Sequence, residues 1–181
     1  MKDFQYIPRV FKHAFILLIL TGLIQACVSN KMRDIPADNT KPVTIEELVV
    51  TPFTFAPTVK NFSNSLKHFY KLQVYTVKNR FITTQTDTIF RFYRKKSELF
   101  IYKANKKEFI MASMIYDDKI VLRNGIKVGI TRYNFQKSFI NMPVNKKDTV
   151  RLTSKKAMNS LSFVFRNRKL FAIKIDNYLD Y

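Results

Sequence analysis

Short runs rich in Ile, Val, Phe and Tyr recur along the chain from residue 72 onward, and polar segments separate them. Side chains of these types are enriched in β-strands, and strands joined by short polar turns pair in antiparallel order. The sequence therefore predicts an antiparallel sheet. The predicted strands cover residues 72–78, 88–94, 98–103, 108–115, 119–123, 149–153, 160–166 and 169–176.

The segments between these runs have the composition of hairpin turns, and most of them are basic. Residues 94–97 are Arg-Lys-Lys-Ser, and residues 166–169 are Arg-Asn-Arg-Lys. Asn124 is followed by Gly125, and this dipeptide strongly favours a two-residue turn. We therefore expect chain reversals at these positions, with cationic side chains at several of the tips.

Two stretches have apolar residues at helical spacing. Residues 58–71 form the first, and either Asn61 or Ser63 is the expected N-cap. Residues 131–140 form the second, and Thr131 is the expected N-cap because a threonine oxygen can accept a hydrogen bond from the first turn. Both stretches predict short amphipathic helices.

Residues 43–57 are predicted to form an edge strand or a lead-in segment. They contain a β-rich run, but Pro52 and Pro57 lack the N–H that a central strand needs. Taken together, the elements predict an α+β fold, with short helices packed on one face of an antiparallel sheet.

Two parts of the chain share one order of elements. In residues 43–125, and again in residues 126–181, a short helix precedes strands that are joined by a basic hairpin. Similar aromatic strings flank the hairpins at 94–97 and 166–169, which suggests an internal repeat with a period of about 70 residues. We therefore predict two tandem helix-plus-strands halves. The alternative is that any two aromatic hairpins look alike.

The start of the chain is typical of an export signal. Residues 1–13 carry a positive charge, and an apolar run of about 11 residues follows between Ala14 and Ile24. A membrane-spanning helix needs about 18–20 apolar residues. Cys27 is the only cysteine in the chain, and it directly follows the small residue Ala26. An uncleaved membrane helix with an incidental cysteine is the alternative.

The segment Leu23-Ile24-Gln25-Ala26-Cys27 resembles the lipobox of bacterial lipoproteins. This resemblance implies that residues 1–26 are a signal peptide and that acyl chains of the palmitate type on Cys27 anchor the protein in a bilayer. Residues 27–42 are mostly polar and are predicted to be a flexible tether. Val28 rather than aspartate follows the cysteine, which in lipoproteins of the enteric type implies the outer membrane. The expected location is the cell envelope.

A second resemblance involves residues 126–139, which are similar to the opening motif of BamE/SmpA-type outer-membrane lipoproteins and of the related β-lactamase-inhibitor-protein (BLIP)-like domains. Gly129 matches the turn of the motif and Thr131 matches its helix cap. Phe135 and Phe139 take its apolar helix positions, while its final glycine is absent here. The resemblance implies an α+β fold that is used for binding rather than catalysis.

The chain is strongly basic, with 32 Lys and Arg residues against 13 Asp and Glu residues. Removal of residues 1–26, which hold three basic residues and one acidic residue, lowers the net charge from +19 to +17. A field of this size favours an acidic partner, such as anionic lipid, polysaccharide or an acidic protein surface. We do not expect nucleic acid as a partner, because an exported lipoprotein seldom meets it.

Basic residues in two predicted hairpin turns are the candidates for binding an anion. The alternative is that they are solvated tips whose charge protects the sheet from aggregation. The candidates are Arg94, Lys95, Lys96, Arg166, Arg168 and Lys169.

The chain after the signal offers few groups for catalysis. Its one histidine, His68, has no cysteine partner and no HExxH-type spacing, so neither a metal site nor a cofactor is predicted. Asp117 and Asp118 fall in a predicted turn, and no GxSxG motif occurs. The expected role is a non-catalytic binding or assembly module with the bilayer and another envelope protein as partners. The alternatives are a basic module for anionic lipid or polysaccharide, and an envelope enzyme of unrecognised type.

Overall fold

The computed structural model describes residues 41–79, 81–144, 146–154 and 159–177. Within these ranges the chain forms three α-helices, one 3₁₀ turn and seven strands. The helices are α1 (Ile45–Val50), α2 (Val59–Leu66) and α3 (Arg132–Lys137), and the 3₁₀ turn is Arg123–Gly125. The strands are β1 (Lys71–Lys78), β2 (Thr86–Arg94), β3 (Ser97–Ala104), β4 (Lys107–Ile115), β5 (Thr149–Thr153), β6 (Asn159–Arg166) and β7 (Lys169–Asn177).

The seven described strands form one sheet, in the order β1-β2-β3-β4-β7-β6-β5. Every neighbouring pair is antiparallel. The last strand of the predicted first half, β4, therefore lies beside β7, the last strand of the predicted second half. The prediction of an α+β fold on an antiparallel sheet is confirmed, although the described residues are mostly sheet.

Helices α2 and α3 pack against the same face of the sheet. The ring centroid of Phe62 in α2 lies 6.1 Å from that of Phe92 on β2. The ring centroid of Phe135 in α3 lies 4.7 Å from that of Phe163 and 5.1 Å from that of Phe165, both on β6. All five rings are buried, and aromatic contacts add to the free energy gained by hydrophobic burial. We call this side of the sheet the helix face.

Seven of the eight predicted strands are confirmed, and their ends differ from the predicted ends by no more than two residues. The prediction of a strand at 119–123 is wrong. Ile120 and Leu122 are buried and alternate with more exposed residues, so this segment has the period of a strand, but it lies in irregular structure that leads into the 3₁₀ turn. Apolar alternation reports burial on one side and does not by itself show a partner strand.

The predicted chain reversals are confirmed, and several of their residues have a left-handed backbone. The φ angles of Asn124 and Gly125 are 59° and 69°. Lys95, between β2 and β3, has a φ of 52°, and Asn167 and Arg168, between β6 and β7, have φ angles of 50° and 62°. Two-residue hairpin turns require positive φ, which asparagine and glycine adopt with the least strain.

Of the two alternatives predicted for residues 43–57, the edge strand is wrong, because part of this segment is helix α1. Thr44 and Glu47 form a capping box in which the Glu47 N–H donates to Thr44 Oγ1 at 3.2 Å and the Thr44 N–H donates to Glu47 Oε2 at 2.7 Å. The helix buries Leu48 in the core. The helix ends at Val50, and Pro52 follows two residues later. A proline disfavours the helical conformation in the residue before it, here Thr51.

The other two helices begin with threonine caps and are shorter than predicted. In α2 the cap is Thr58, whose Oγ1 accepts a hydrogen bond from the Asn61 N–H at 3.3 Å, so neither Asn61 nor Ser63 has the predicted role. In α3 the predicted cap Thr131 is confirmed, because its Oγ1 accepts from the Asn134 N–H at 3.2 Å. A cap of this kind satisfies one of the free N–H groups of the first turn.

Candidate functional site

The sheet face opposite the helix face, which we call the open face, carries two rows of side chains that cross all seven described strands. Residues directly opposite each other on antiparallel strands point to the same side, so the register defines each row. The first row is Gln73, Arg91, Phe100, Ala112, Asp176, Ser160 and Thr153. The second row is Lys71, Tyr93, Glu98, Met114, Lys174, Ser162 and Arg151.

The centre of the open face is apolar. Phe100 on β3 and both Ala112 and Met114 on β4 occupy the middle of the two rows, and all three are partly exposed. Tyr93 on β2 is also partly exposed, and Glu98 lies between it and Met114 in the second row. An apolar area that a sheet leaves partly open to solvent is a candidate surface for contact with another molecule.

One margin of the open face is organised around Arg91. Its guanidinium forms an ion pair with Glu98, donates to Gln73 Oε1 at 3.3 Å and lies 4.7 Å from the centroid of the Tyr93 ring. The hydrogen bond to Glu98 raises the pKa of Arg91. Arg91 Nε is buried and has no hydrogen-bond partner among the described residues. The cation is therefore held in one orientation beside the apolar centre.

The opposite margin is polar as well. Lys174 Nζ lies 2.8 Å from Asp176 Oδ2, and Arg151 Nη2 donates to Ser160 Oγ at 3.4 Å. Lys174 and Arg151 are exposed. An apolar centre between two polar margins is the usual anatomy of a protein–protein interface.

Both turns that were predicted to bind an anion lie at the same end of the sheet. Strands β2 and β6 run in the same direction, because each neighbouring pair in the sheet is antiparallel. The β2–β3 turn and the β6–β7 turn therefore follow the same ends of their strands. About three strand spacings separate the two turns, which is roughly 14 Å across the sheet.

Arg94 and Arg166 are among the candidate residues that already have partners within the chain. Arg94 Nη1 lies 3.5 Å from Asp117 Oδ2. The guanidinium of Arg166 lies 3.9 Å from the centroid of the Phe171 ring. The side chains at the turns themselves extend into solvent: Lys95, Lys96, Arg168 and Lys169 are exposed.

Two carboxylates separate the basic turns. Strand β4 lies between the turns in the sheet, and Asp117 and Asp118 come shortly after its end. Asp117 Oδ2 accepts a hydrogen bond from the Tyr70 hydroxyl at 2.9 Å, and burial raises the pKa of that hydroxyl. Lys119 Nζ lies 3.1 Å from Asp118 Oδ1, and its hydrogen bond lowers the pKa of the Asp118 carboxyl. This end of the sheet is therefore basic, then acidic, then basic again.

Other polar groups in the described ranges lie apart from the open face and the basic turns. A groove lies beside α1, but Arg123 in its wall donates to the carbonyls of Thr51 and Phe53 at 3.1 and 3.2 Å and so supports the loop. His68 is exposed. Among the residues with described positions, no three His, Cys, Asp or Glu side chains lie close enough to hold a metal ion.

The signal peptide 1–26, Cys27 and the tether as far as residue 40 lie outside the described residues. In the part of the chain that is described, no helix combines the length and the hydropathy needed to cross a bilayer.

Sequence reasoning missed the open face. The signal available to it was the alternation within β2 and β3, which sends Arg91, Tyr93, Glu98 and Phe100 to one side. That alternation becomes a surface only when the neighbouring strands and their register are known. No protein-family model, curated protein or solved structure matches this chain.

Proposed function

We propose that this chain is a lipid-anchored lipoprotein of the bacterial cell envelope, and that its domain binds another envelope protein without catalysing a reaction. In this proposal acylated Cys27 is the anchor, residues 27–42 are the tether and the outer membrane is the location. The observation that carries the proposal is the open face, which presents a partly exposed apolar centre between two polar margins.

The composition of the open face supports protein binding. Tyrosine and arginine are the residues that most often dominate binding free energy, and the open face holds Arg91 stacked on Tyr93 next to Phe100. Met114 provides an adaptable apolar contact in the same area. Because Arg91 is already oriented by Glu98, little side-chain entropy remains to be lost when a partner binds.

The lowered pKa values of three carboxyl groups favour a binding role over proton transfer by those groups. Hydrogen bonds lower the pKa of three of them, through the Thr44 N–H for Glu47, the Tyr102 hydroxyl for Asp87 and Lys119 for Asp118. A general acid works best with a pKa near the working pH, whereas these groups stay ionised and act as acceptors.

A second candidate function is the binding of anionic lipid or polysaccharide by the basic turns. It is supported by the position of both turns at one end of the sheet and by the exposure of Lys95, Lys96 and Arg168. A polyanion that reached both turns would pass Asp117 and Asp118, which weakens this candidate relative to the first.

Salt dependence tests the second candidate. The affinity of the full chain for an immobilised anionic polysaccharide should fall steeply as ionic strength rises. The double variant Lys95→Gln/Arg168→Gln should elute at lower salt than Lys60→Gln/Lys67→Gln, which removes the same charge from and just beyond α2. Equal elution of the two variants would exclude a role for the turns.

We also infer that the two halves of the domain, 43–125 and 126–181, are related as repeats. Support comes from the antiparallel pairing of β4 with β7, because a two-fold relation between the halves would put their last strands side by side. In this two-fold relation the β6–β7 turn corresponds to the β3–β4 turn. The sequence similarity instead matches the β6–β7 turn with the β2–β3 turn at 94–97. Separately expressed halves that each formed a stable sheet would support this inference, and a loss of folding in both would leave it without support.

Site-specific crosslinking in cells tests the docking proposal. A photoreactive amino acid at position 100 or 114 of the full-length chain should crosslink to one defined envelope protein. The same group at Lys60, which is exposed on α2, is the matched control and should not. Absence of a crosslink from the open face, or identical products from position 60, would overturn the proposal.

The anchor needs a separate measurement. Mass spectrometry of the native protein should show a chain that begins at Cys27 and carries fatty acids. A chain that keeps Met1 and carries no fatty acid would remove the anchor and the envelope location from the proposal.

A further inference from the structure

The loop between β1 and β2 exposes two large apolar side chains next to each other. Phe81 is 68% exposed and Ile82 is 51% exposed. Single exposed apolar residues are common on protein surfaces, but an adjacent aromatic and aliphatic pair at the end of a hairpin is a concentrated apolar tip. We call residues 81 and 82 the apolar tip.

The backbone of the apolar tip is fixed by one side chain. Asn79 Oδ1 accepts hydrogen bonds from the N–H groups of both Phe81 and Ile82, each at 2.9 Å. The loop is closed by two backbone bonds, from the Asn79 N–H to the Gln85 carbonyl at 3.0 Å and from the Gln85 N–H to the Ile82 carbonyl at 2.9 Å. Asparagine is well suited to this role, because its side chain can bond backbone groups two and three residues onward.

A buried carboxylate in turn fixes the asparagine. Asp87, at the start of β2, is only 1% exposed. It accepts hydrogen bonds from Asn79 Nδ2 and Gln85 Nε2, each at 2.6 Å, and from the Tyr102 hydroxyl on β3. The amide of Asn79 can therefore point its oxygen only toward the tip. The apolar tip is presented in one conformation, which lowers the entropy lost on binding.

Exposed cations lie at the same end of the sheet as this loop. Strands β1 and β3 run in the same direction, so the β1–β2 loop and the β3–β4 turn lie at the same end of the sheet. Lys78 ends β1, and Lys106 and Lys107 lie at the β3–β4 turn; all three are exposed. The acidic groups Glu108 and Asp176 on neighbouring strands form ion pairs with lysines. This end of the sheet therefore complements a negatively charged surface.

We propose that the apolar tip inserts Phe81 and Ile82 into the interfacial region of an anionic bilayer, with Lys78, Lys106 and Lys107 against the lipid headgroups. Apolar side chains that enter the acyl boundary and cations that meet anionic headgroups act together in membrane attachment. The inference rests on the bilayer location in the proposed function. It adds a second point of contact, which sets the orientation of the sheet relative to the membrane.

A single tryptophan tests the insertion directly, because the chain contains none. Phe81→Trp in the full chain puts a fluorescent probe at the tip. Tyr133→Trp, an exposed aromatic position on α3, is the matched control. Both variants are reconstituted with vesicles of phosphatidylglycerol and phosphatidylcholine that carry bromine on their acyl chains, since bromine quenches only a tryptophan that reaches those chains.

The expected result is a blue shift and strong quenching for Phe81→Trp and neither effect for Tyr133→Trp. Adding Ile82→Asp to Phe81→Trp should reduce the quenching to the level of the control. Ile82→Trp is the second probe if Phe81→Trp does not fold. Equal quenching of both positions, or of neither, overturns the proposal, and equal quenching in vesicles of phosphatidylcholine alone overturns the role of the lysines.

Failure of the anchor can be distinguished from failure of the tip. Flotation with the vesicles measures whether the chain is attached at all, and quenching measures whether residue 81 reaches the acyl chains. A chain that floats without quenching at residue 81 refutes the apolar tip and leaves the anchor intact. A chain that does not float, and shows no quenching, refutes both.

Discussion

Arg94 and Asp117 form an ion pair at one end of the sheet, with 3.5 Å between Nη1 of the arginine and Oδ2 of the aspartate. The same carboxylate oxygen accepts a hydrogen bond from the Tyr70 hydroxyl at 2.9 Å. One of the residues expected to bind an external anion therefore already has an anionic partner within the chain. The positive charge of the β2–β3 turn is partly neutralised by a carboxylate that lies 23 positions further along the sequence.

Replacing Asp117 with asparagine should strengthen the binding of a polyanion by the basic turns. An ion pair at this exposure contributes less than about 1 kcal/mol, so the expected gain in affinity is about 2- to 5-fold at low salt and smaller at high salt. Retention of the full chain on an immobilised anionic polysaccharide measures it. Asp176→Asn makes the same charge change on the open face, and equal retention of the two variants would contradict the prediction.

Replacing Ser113 with alanine should stabilise the protein. Ser113 is buried on the helix face, and its Oγ has no hydrogen-bond partner among the described residues. An unsatisfied buried hydroxyl costs about 1–3 kcal/mol, so its removal should raise the free energy of unfolding by about 1 kcal/mol. Urea denaturation measures the change.

The matched control for Ser113 is Ser97, which is also buried but whose Oγ accepts a hydrogen bond from the Tyr116 N–H at 2.9 Å. Ser97→Ala removes that bond and should lower the free energy of unfolding by about 1 kcal/mol. The two substitutions are chemically identical, so the prediction is that their effects have opposite signs. Effects of the same sign would show that the hydrogen bonding of the two serines does not differ as described.

Part of the stability that the protein loses below about pH 5 should come from Asp87. Hydrogen bonds from Tyr102, Gln85 and Asn79 lower the pKa of its carboxyl in the folded protein. Its contribution to stability is therefore present above the ordinary value of about 3.9 and is lost as the pH falls through the lowered value. Asp87→Asn should be less stable than the parent at pH 7 and should lose less further stability on acidification.

Urea midpoints at several pH values test the role of Asp87. The exposed Asp148 provides the comparison, because Asp148→Asn should keep the acid dependence of the parent. If Asp87→Asn retained the full acid dependence as well, the loss of stability in acid would have to come from other carboxyl groups.

Helix α1 should depend on its N-cap. Thr44→Ala removes the oxygen that accepts from the Glu47 N–H, and the loss of a threonine cap costs about 1 kcal/mol. The exposed Thr54 lies beyond the helix, and Thr54→Ala should change the free energy of unfolding by less than about 0.5 kcal/mol. Denaturant unfolding measures both variants. If their midpoints were equal, the capping box would not be a source of stability.

Most of the sheet could be predicted from the sequence, because alternation and turn chemistry are local properties. The strand at 149–153 is confirmed with its predicted ends, and the turn at Asn124 and Gly125 has the expected positive φ angles. In segment 43–57 the β-rich run predicts a strand, but the capping box of Thr44 and Glu47 begins a helix there. At 119–123, the alternation of buried Ile120 and Leu122 predicts a strand, but this segment has no partner strand among the described residues.

The candidate sites were less accessible to sequence reasoning. The basic residues of the turns were found, because composition shows them, but the pairing of Arg94 with Asp117 and the stacking of Arg166 on Phe171 depend on the register and twist of the sheet. The lipid anchor at Cys27 stays a prediction, since it depends on a motif that lies outside the described residues.

The side-chain pattern along the chain is enough to specify the seven described strands and the chain reversals between them. Those outcomes follow from side-chain shape, burial preference and allowed φ angles over a few neighbouring residues. The strand order and register are needed to place β4 beside β7, to put Phe100 and Met114 on one face, and to let Asp87 orient Asn79 beneath an exposed phenylalanine. These relationships depend on which strands pair and in which register, and they exist only after the packing of the whole sheet has selected one strand order and one register.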